Sequence, residues 1–235
     1  MKYILRQKND SDYIFHGLTT DIQGILTMKR TLVIATRNKG KLLEFSELFS
    51  GMEITVCGLD DFGPIPHVIE DGETFEDNAV IKARFTARIL GFPALADDSG
   101  IMVKSLGGMP GVHSARYAGE SATDEENNLK LLHALKNRKD REAAFICVLA
   151  IAVPRGPALI YEGRCEGLVL DSQLGSNGFG YDPLFYYPPL GKTFAQMTTQ
   201  EKNHVSHRGR AMAELRGEAE KIIKWLDLRM AEEPS

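Results

Sequence analysis

Four short constellations in the chain have residue types and spacing suited to work on a phosphorylated ligand. The first, Thr36-Arg37-Asn38-Lys39-Gly40-Lys41, follows the apolar run Leu32-Val33-Ile34-Ala35 and precedes an amphipathic stretch, so a strand ends there and a helix begins. Backbone N–H groups at a helix start have no intrahelical partner and carry positive partial charge, which suits an anion. Thr36 and Asn38 can hydrogen-bond phosphate oxygens and Lys41 can act as a point charge, while Arg37 and Lys39 can simply face solvent. A Walker loop is excluded, because it would need glycine at Ala35 and a hydroxyl at Leu42. Taken alone, the six residues read equally well as a solvated basic turn.

The second constellation, Ala96-Asp97-Asp98-Ser99-Gly100, has an apolar strand delivering two carboxylates to a glycine turn, at the kind of strand end where α/β proteins place ligands. Side chains alternate along a strand, so Asp97 and Asp98 cannot readily share one site. The same residues are also ordinary turn formers. Glu70 and Asp77 add carboxylates upstream, although Asp77, three residues after Thr74, also completes a variant capping box. Carboxylates beside a phosphate loop repel the ligand unless a cation lies between them, which implies Mg²⁺ shared by protein and phosphate oxygens.

The third, Gly175 to Pro183, combines three glycines with Phe179 and Tyr181, whose ring faces suit base stacking, and with Asp182, which can accept from a base edge. Its aromatics could equally plug a core. The fourth is Glu201 to Gly209, where Ser206 is placed to cap a helix whose positive end then carries His207 and Arg208.

The elements that must position these groups alternate between short apolar runs and helical patterns. They comprise a strand over 31–36, a helix over 40–50, a strand near 53–57, a helix over 75–90 ending at Gly91, and a strand near 94–97. A helix over 123–136 follows, then strands 143–153 and 158–170 about the turn Pro154-Arg155-Gly156-Pro157, which predict an antiparallel hairpin. A last helix is predicted over 207–227. The fold class is therefore α/β with a mixed sheet.

With 235 residues and 43% hydrophobic composition, one sizeable domain over 28–230 is expected, with residues 1–27 an extension of no assigned role and 231–235 a frayed tail. The net charge of −4 disfavours a surface given over to nucleic acid or membrane. Cys57, Cys147 and Cys165 are widely spaced and read as packed, reduced thiols. No apolar run approaches the roughly 20 residues of a membrane span, so a soluble, cytoplasmic protein is expected.

Taken in order, the loop at 36–41, Phe75-Glu76-Asp77-Asn78-Ala79, Ala96 to Gly100, Pro110-Gly111-Val112-His113-Ser114-Ala115-Arg116-Tyr117, Phe179-Gly180-Tyr181-Asp182-Pro183 and Ser206-His207-Arg208-Gly209 resemble the Ham1/RdgB-type inosine triphosphate pyrophosphatases. The resemblance spans about residues 31–226. It implies a mixed twisted sheet flanked by helices, with two lobes around a substrate cleft. It further implies Mg²⁺, a homodimer, and cleavage of non-standard purine nucleoside triphosphates (ITP, dITP, XTP) to the monophosphate and pyrophosphate. Carried over by position, Thr36, Arg37, Asn38, Lys39, Gly40 and Lys41 would bind the triphosphate. Asp98 would be the catalytic carboxylate and a metal ligand, with Lys41 assisting, and Ser99 would contact substrate. Phe179, Gly180, Tyr181, Asp182, Lys202, His207 and Arg208 would form the nucleotide pocket. Where such proteins often have glutamate as a metal-associated acid, this chain has the shorter Asp77, which makes Glu70 a candidate substitute. The alternatives are a nucleotide-binding module without turnover and a phosphatase releasing orthophosphate.

Overall fold

The computed structural model describes residues 30–231; the expected extension over 1–27, and all of the expected tail except Ala231, lie outside them. Seven strands form one sheet in the order β2-β1-β3-β4-β5-β6-β7. They are β1 Thr31–Ile34, β2 Thr55–Gly58, β3 Ala94–Val103, β4 Glu142–Ala152, β5 Ala158–Val169, β6 Phe185–Tyr187 and β7 Lys192–Thr193. Strand β1 runs parallel to both β2 and β3, and all later pairings are antiparallel, so the sheet is mixed as expected. The helices are α1 Lys39–Leu48, α2 Phe75–Leu90, α3 Asp124–Leu135, α4 Thr199–Val205, α5 His207–Gly217 and α6 Ala219–Ala231.

Two expectations are corrected. The strand predicted near 94–97 continues to Val103, so Asp97, Asp98, Ser99 and Gly100 lie within β3 and not at a turn beyond it. A ten-residue ladder with β4 holds them extended, overriding the turn preference of Asp-Asp-Ser-Gly. The helix predicted over 207–227 is two helices, broken at Glu218 just after Gly217, a poor helix former. The short helix α4 and the strands β6 and β7 carry too few residues to show a period, and were not anticipated.

Strand alternation sorts the core. The odd residues Leu95 of β3 and Cys147, Leu149 and Ile151 of β4 face α1, α5 and α6, packing with Phe45, Leu215, Ile222 and Leu226. Farther along the same face, Ile101, Val103 and Phe145 join a second cluster with Leu131 and Leu135 of α3 and with Phe185 and Phe194. The even residues face α2, where Ala79, Ala83 and Ala87, spaced by four, meet Ala94, Ala96, Ala144 and Ala150. Small residues on both sides let α2 lie close to the sheet. Asp97 and Ser99 thus fall on the odd face between its two apolar clusters, and Asp98 falls on the even face beneath α2.

Candidate functional site

The basic loop leads into α1 as expected. Asn38 is the helix N-cap, its Oδ1 accepting from the Lys41 N–H at 3.1 Å, and its own N–H donates to Thr36 Oγ1 at 3.1 Å. Arg37, Asn38, Lys39 and Gly40 are exposed. Arg37 pairs with Asp60 at 3.0 Å in solvent, a contact of little energetic weight.

Lys41 turns inward. Its Nζ donates to Asp97 Oδ1 at 3.0 Å and Oδ2 at 2.8 Å, and Arg208 reaches the same carboxylate at 3.5 Å. Asp97 is 5% exposed in its side chain, and the two cations overcome the cost of burial to hold its carboxyl far below the usual range. A lysine has three N–H donors, so one remains for a phosphate oxygen.

Asp98 sits among different partners. Lys82 of α2 donates to Asp98 Oδ1 at 3.2 Å and to Glu70 Oε2 at 2.8 Å, while Asn78 Nδ2 approaches Asp98 Oδ2 at 3.3 Å. Burial pushes the Asp98 carboxyl up, and Lys82 and the Asn78 amide only partly counter it. Burial opposes the Lys82 charge too, but Asp98 and Glu70 more than offset it and raise the ammonium. Lys82 and Asn78 were not foreseen from the sequence; their signal is a pair spaced by four beside the alanine stripe of α2.

Glu70, and not Asp77, joins this cluster. Asp77 Oδ2 accepts from the Thr74 N–H at 3.1 Å and the Thr74 hydroxyl at 2.7 Å, and Thr74 Oγ1 accepts from the Asp77 N–H at 3.0 Å. The capping box takes up that carboxylate.

No three His, Cys, Asp or Glu side chains converge as a metal cluster among the described residues. A Mg²⁺ ion, however, is usually held by one or two carboxylates together with waters and substrate phosphates. Asp98 and Glu70, already converging on one ammonium, fit that donor set. A cavity of about 340 Å³ lies here, lined by Thr36, Arg37, Lys41, Glu70, Lys82 and Asp97 among others.

A second cavity, of about 280 Å³, shares no lining residue with the first and is bordered by Ser99, Phe179, Asp182, Lys202, His207 and Arg208. The Asp97–Arg208 pair lies between the two. Phe179 is 59% exposed, with Lys202 Nζ 4.7 Å and the Arg208 guanidinium 5.8 Å from its ring centroid. Asp182 is buried, accepting from the Phe179 N–H at 3.0 Å and from Lys202 Nζ. A Cβ on Gly178 would fall 2.0 Å from Asp182 Oδ2, so this turn requires glycine.

Tyr181 differs from expectation. It is buried, and its hydroxyl donates to the Ser114 carbonyl at 2.8 Å, so its ring packs in the core and cannot offer a free stacking face. Its neighbour Leu184 and the Phe145, Phe185 and Phe194 rings draw it inward.

Ser206 caps α5 as expected, Oγ accepting from the Gly209 N–H at 3.1 Å. His207 is buried and stacks on Phe145 with centroids 4.7 Å apart and planes 11° from parallel. Burial, then Arg208 and Lys202, hold its imidazole well below its usual range, so the ring is neutral. Its Nδ1 has no hydrogen-bond partner among the described residues. Arg208 also lies 3.7 Å from Glu44 of α1, tying α5 to α1.

A mixed α/β sheet that presents a capped helix start, a carboxylate–lysine cluster and an aromatic cavity in one neighbourhood defines a nucleotide-handling α/β protein. The chain belongs to the Ham1 family, whose model matches residues 32–218. It is 60% identical over 202 residues to the dITP/XTP pyrophosphatase of Syntrophobacter fumaroxidans, covering 86% of this chain and 87% of that one. To the dITP/XTP pyrophosphatase of Geobacter sulfurreducens it is 51% identical over 187 residues, 79% of this chain and 94% of that one. Among solved structures, a HAM1 protein from Coxiella burnetii superposes with a TM-score of 0.79 at 43% identity, covering 82% of this chain and 99% of that one. The Staphylococcus aureus Ham1 protein gives 0.78 at 42%, with the same coverage.

Proposed function

We propose that this protein hydrolyses ITP, dITP and XTP to the monophosphate and pyrophosphate, with Asp98 as the catalytic carboxylate, and so clears these nucleotides from the pool that feeds DNA and RNA synthesis. The enzyme is a nucleoside triphosphate pyrophosphatase. The observation that carries the assignment of roles is the position of Asp98, buried, raised in proton affinity and held between Lys82 and Asn78 beside the cavity that Thr36 and Lys41 line.

In this reading Asp98 orients and deprotonates the water that attacks phosphorus. Lys41, fixed by Asp97, and the free N–H groups at the start of α1 neutralise the departing pyrophosphate. Asp98 and Glu70 would hold Mg²⁺ with the phosphate oxygens, where the ion neutralises phosphate charge and polarises the reacting centre. Lys82 holds the two carboxylates together. The purine stacks on Phe179 beside Lys202 and Arg208. A 6-keto acceptor distinguishes hypoxanthine and xanthine from adenine, whose amino group would leave a buried donor unpaired.

The active assembly proposed is a homodimer acting in the cytoplasm. Scoring pyrophosphate against orthophosphate released from ITP, with ATP and GTP as competitors, tests the function. Orthophosphate as product would make the protein a generic phosphatase, no product at all would make it a binding module, and equal kcat/KM for all three would end the selectivity assignment.

A further inference from the structure

Two of the walls of the cavity bordered by Phe179 are pinned by one helix end, and Asp124 and Asn127 of that end also reach the lining. One wall is the loop at 177–182; the other is the segment that includes Ser114 and Ala115. Helix α3 begins with Thr123 as its cap and carries Asp124, Asn127 and Asn128 in its first turns. Residues three and four apart neighbour one another on a helix, so Asn127 and Asn128 each lie beside Asp124 one turn on. Asn127 and Asn128 are buried, at 3% and 2% exposure, in a helix that otherwise buries leucines. A buried amide is costly unless its hydrogen bonds are met, so its presence calls for a reason.

The contacts meet both polar atoms of the Asn127 amide and the Nδ2 of Asn128, whose Oδ1 has no partner among the described residues. Asn128 Nδ2 donates to the Gly180 carbonyl at 2.9 Å, and Asp124 Oδ2 accepts from the Gly180 N–H at 2.7 Å. Both backbone groups of one residue in the aromatic loop are therefore held by α3. Gly180 has φ +61°, in the left-handed region, and lies between Phe179 and Tyr181. Asn127 holds the opposite wall, Nδ2 donating to the Ala115 carbonyl at 3.1 Å and Oδ1 accepting from the Ala118 N–H at 2.8 Å. The Tyr181 hydroxyl closes the ring of contacts by donating to the Ser114 carbonyl.

We propose that Asp124, Asn127 and Asn128 are positioning residues for base recognition, acting through Gly180 and the Ala115–Ala118 segment to set the width and aim of the purine cavity. This rests on the reading that the Phe179 loop receives the base. Asn128 and Asp124 fix the height of the Phe179 ring by gripping the residue that follows it, and Asn127 fixes the Ala115–Ala118 segment. The Ser114 segment touches β3 where the Ile101 N–H donates to Ser114 Oγ at 2.9 Å, but the α3 contacts themselves reach neither α1 nor α2 nor Asp98. Loosening α3 therefore weakens nucleoside recognition and leaves phosphate binding alone.

The test measures KM and kcat for ITP, the competitive inhibition constant of inorganic tripolyphosphate, and Tm, in the full-length enzyme with Mg²⁺. Loss of a buried hydrogen-bond partner corresponds to about a tenfold change in an equilibrium constant. Asn128→Ala is expected to raise KM for ITP about tenfold, with kcat and the tripolyphosphate constant within about threefold of wild type. Asp124→Ala is expected to raise KM less, by roughly threefold, because that contact is exposed, and Asp124→Asn, which still presents an acceptor oxygen, to restore it. Should Asn128→Ala fail to fold, the Asp124→Ala and Asp124→Asn pair decides. Phe179→Ala runs alongside. If it raises KM while the Asn128 and Asp124 variants do not, the positioning role is overturned and the base pocket stands. If Phe179→Ala leaves KM unchanged, the base-pocket reading falls and the positioning role with it. Parallel losses in KM, kcat and tripolyphosphate affinity would overturn the inference by showing a general structural effect.

Discussion

Asp97 and Asp98 are adjacent in the chain but serve opposite faces of β3, the first engaged by Lys41 and the second by Lys82. The split predicts two different phenotypes from chemically identical substitutions. Asp98→Asn removes the proposed general base and lowers kcat by about 10²–10⁴-fold with the fold retained, since Lys82 keeps Glu70. Asp97→Asn leaves the Lys41 and Arg208 charges without their carboxylate and costs about 3 kcal/mol of stability, near the low end for a broken buried pair because Arg208 keeps Glu44. Thermal unfolding and ITP turnover of both variants check the contrast; equal loss of Tm in the two would refute it.

His207 predicts an acid-side loss of stability. Its folded pKa is depressed, by burial first and then by Arg208 and Lys202, while in the unfolded chain it titrates near the ordinary value of about 6.5. As pH falls below that value the unfolded state binds a proton that the folded state refuses, so stability present above about pH 6.5 is lost at up to about 1.4 kcal/mol per pH unit. His207→Phe keeps a ring against Phe145 and removes the titration. Urea denaturation between pH 8 and 5.5 should therefore show a steeper decline for wild type than for the variant; superimposable curves would exclude His207 as the cause.

Phe179 and Tyr181 separate recognition from packing. Phe179→Ala removes an exposed ring, so KM for ITP rises by between about fivefold and a hundredfold, the range of one base–aromatic stack, with Tm nearly unchanged. Tyr181→Phe loses the hydrogen bond to Ser114 and costs about 1 kcal/mol of stability. The two effects are read from steady-state kinetics and melting curves, and an effect on KM from Tyr181→Phe as large as that from Phe179→Ala would contradict the burial of its ring.

The proposed placement of Mg²⁺ at Asp98 and Glu70, which share Lys82, predicts metal dependence. EDTA should abolish pyrophosphate release and added Mg²⁺ restore it. Glu70→Gln should raise the Mg²⁺ concentration needed for half-maximal activity, whereas Asp77→Asn, acting at a helix cap, should alter stability by about 1 kcal/mol and leave that concentration alone. A Mg²⁺ titration of the two variants gives the answer, and a shift confined to Asp77→Asn would reverse the assignment.

Much of this architecture was legible in local sequence. The Thr74–Asp77 box, the Ser206 cap and the hairpin about Pro154 to Pro157 are each specified within a few residues, and each forms as read. The alternation that separates Asp97 from Asp98 also follows from strand geometry alone. What was not legible depends on distant partners. Lys82 gains its meaning only when α2 lies on the sheet close enough to reach Asp98, a distance set by the alanines on both surfaces. Tyr181 packs inward against a cluster that includes the distant Phe145 and hydrogen-bonds the distant Ser114, and nothing in Phe-Gly-Tyr-Asp says which ring stays outside. The continuation of β3 past Gly100 likewise depends on β4, which lies some 40 residues on.

Gly163 supplies the last prediction, because α5 reaches the site only by lying almost against β5. A Cβ at this position would fall 1.9 Å from the His207 carbonyl oxygen and 2.5 Å from the Ala211 nitrogen. Both are backbone atoms of α5, so no side chain can rotate aside to relieve the clash, and the helix itself must move. Gly163→Ala therefore costs about 1–3 kcal/mol or more through overpacking. Because His207 and Arg208 open that helix, the displacement also carries their side chains away from the cavity at Phe179, the proposed purine site, and from Asp97. The expected result is a lowered Tm together with a raised KM for ITP, and the second effect is the informative one. A variant that is destabilised yet keeps wild-type KM would show that α5 can retreat from β5 without moving the nucleotide site.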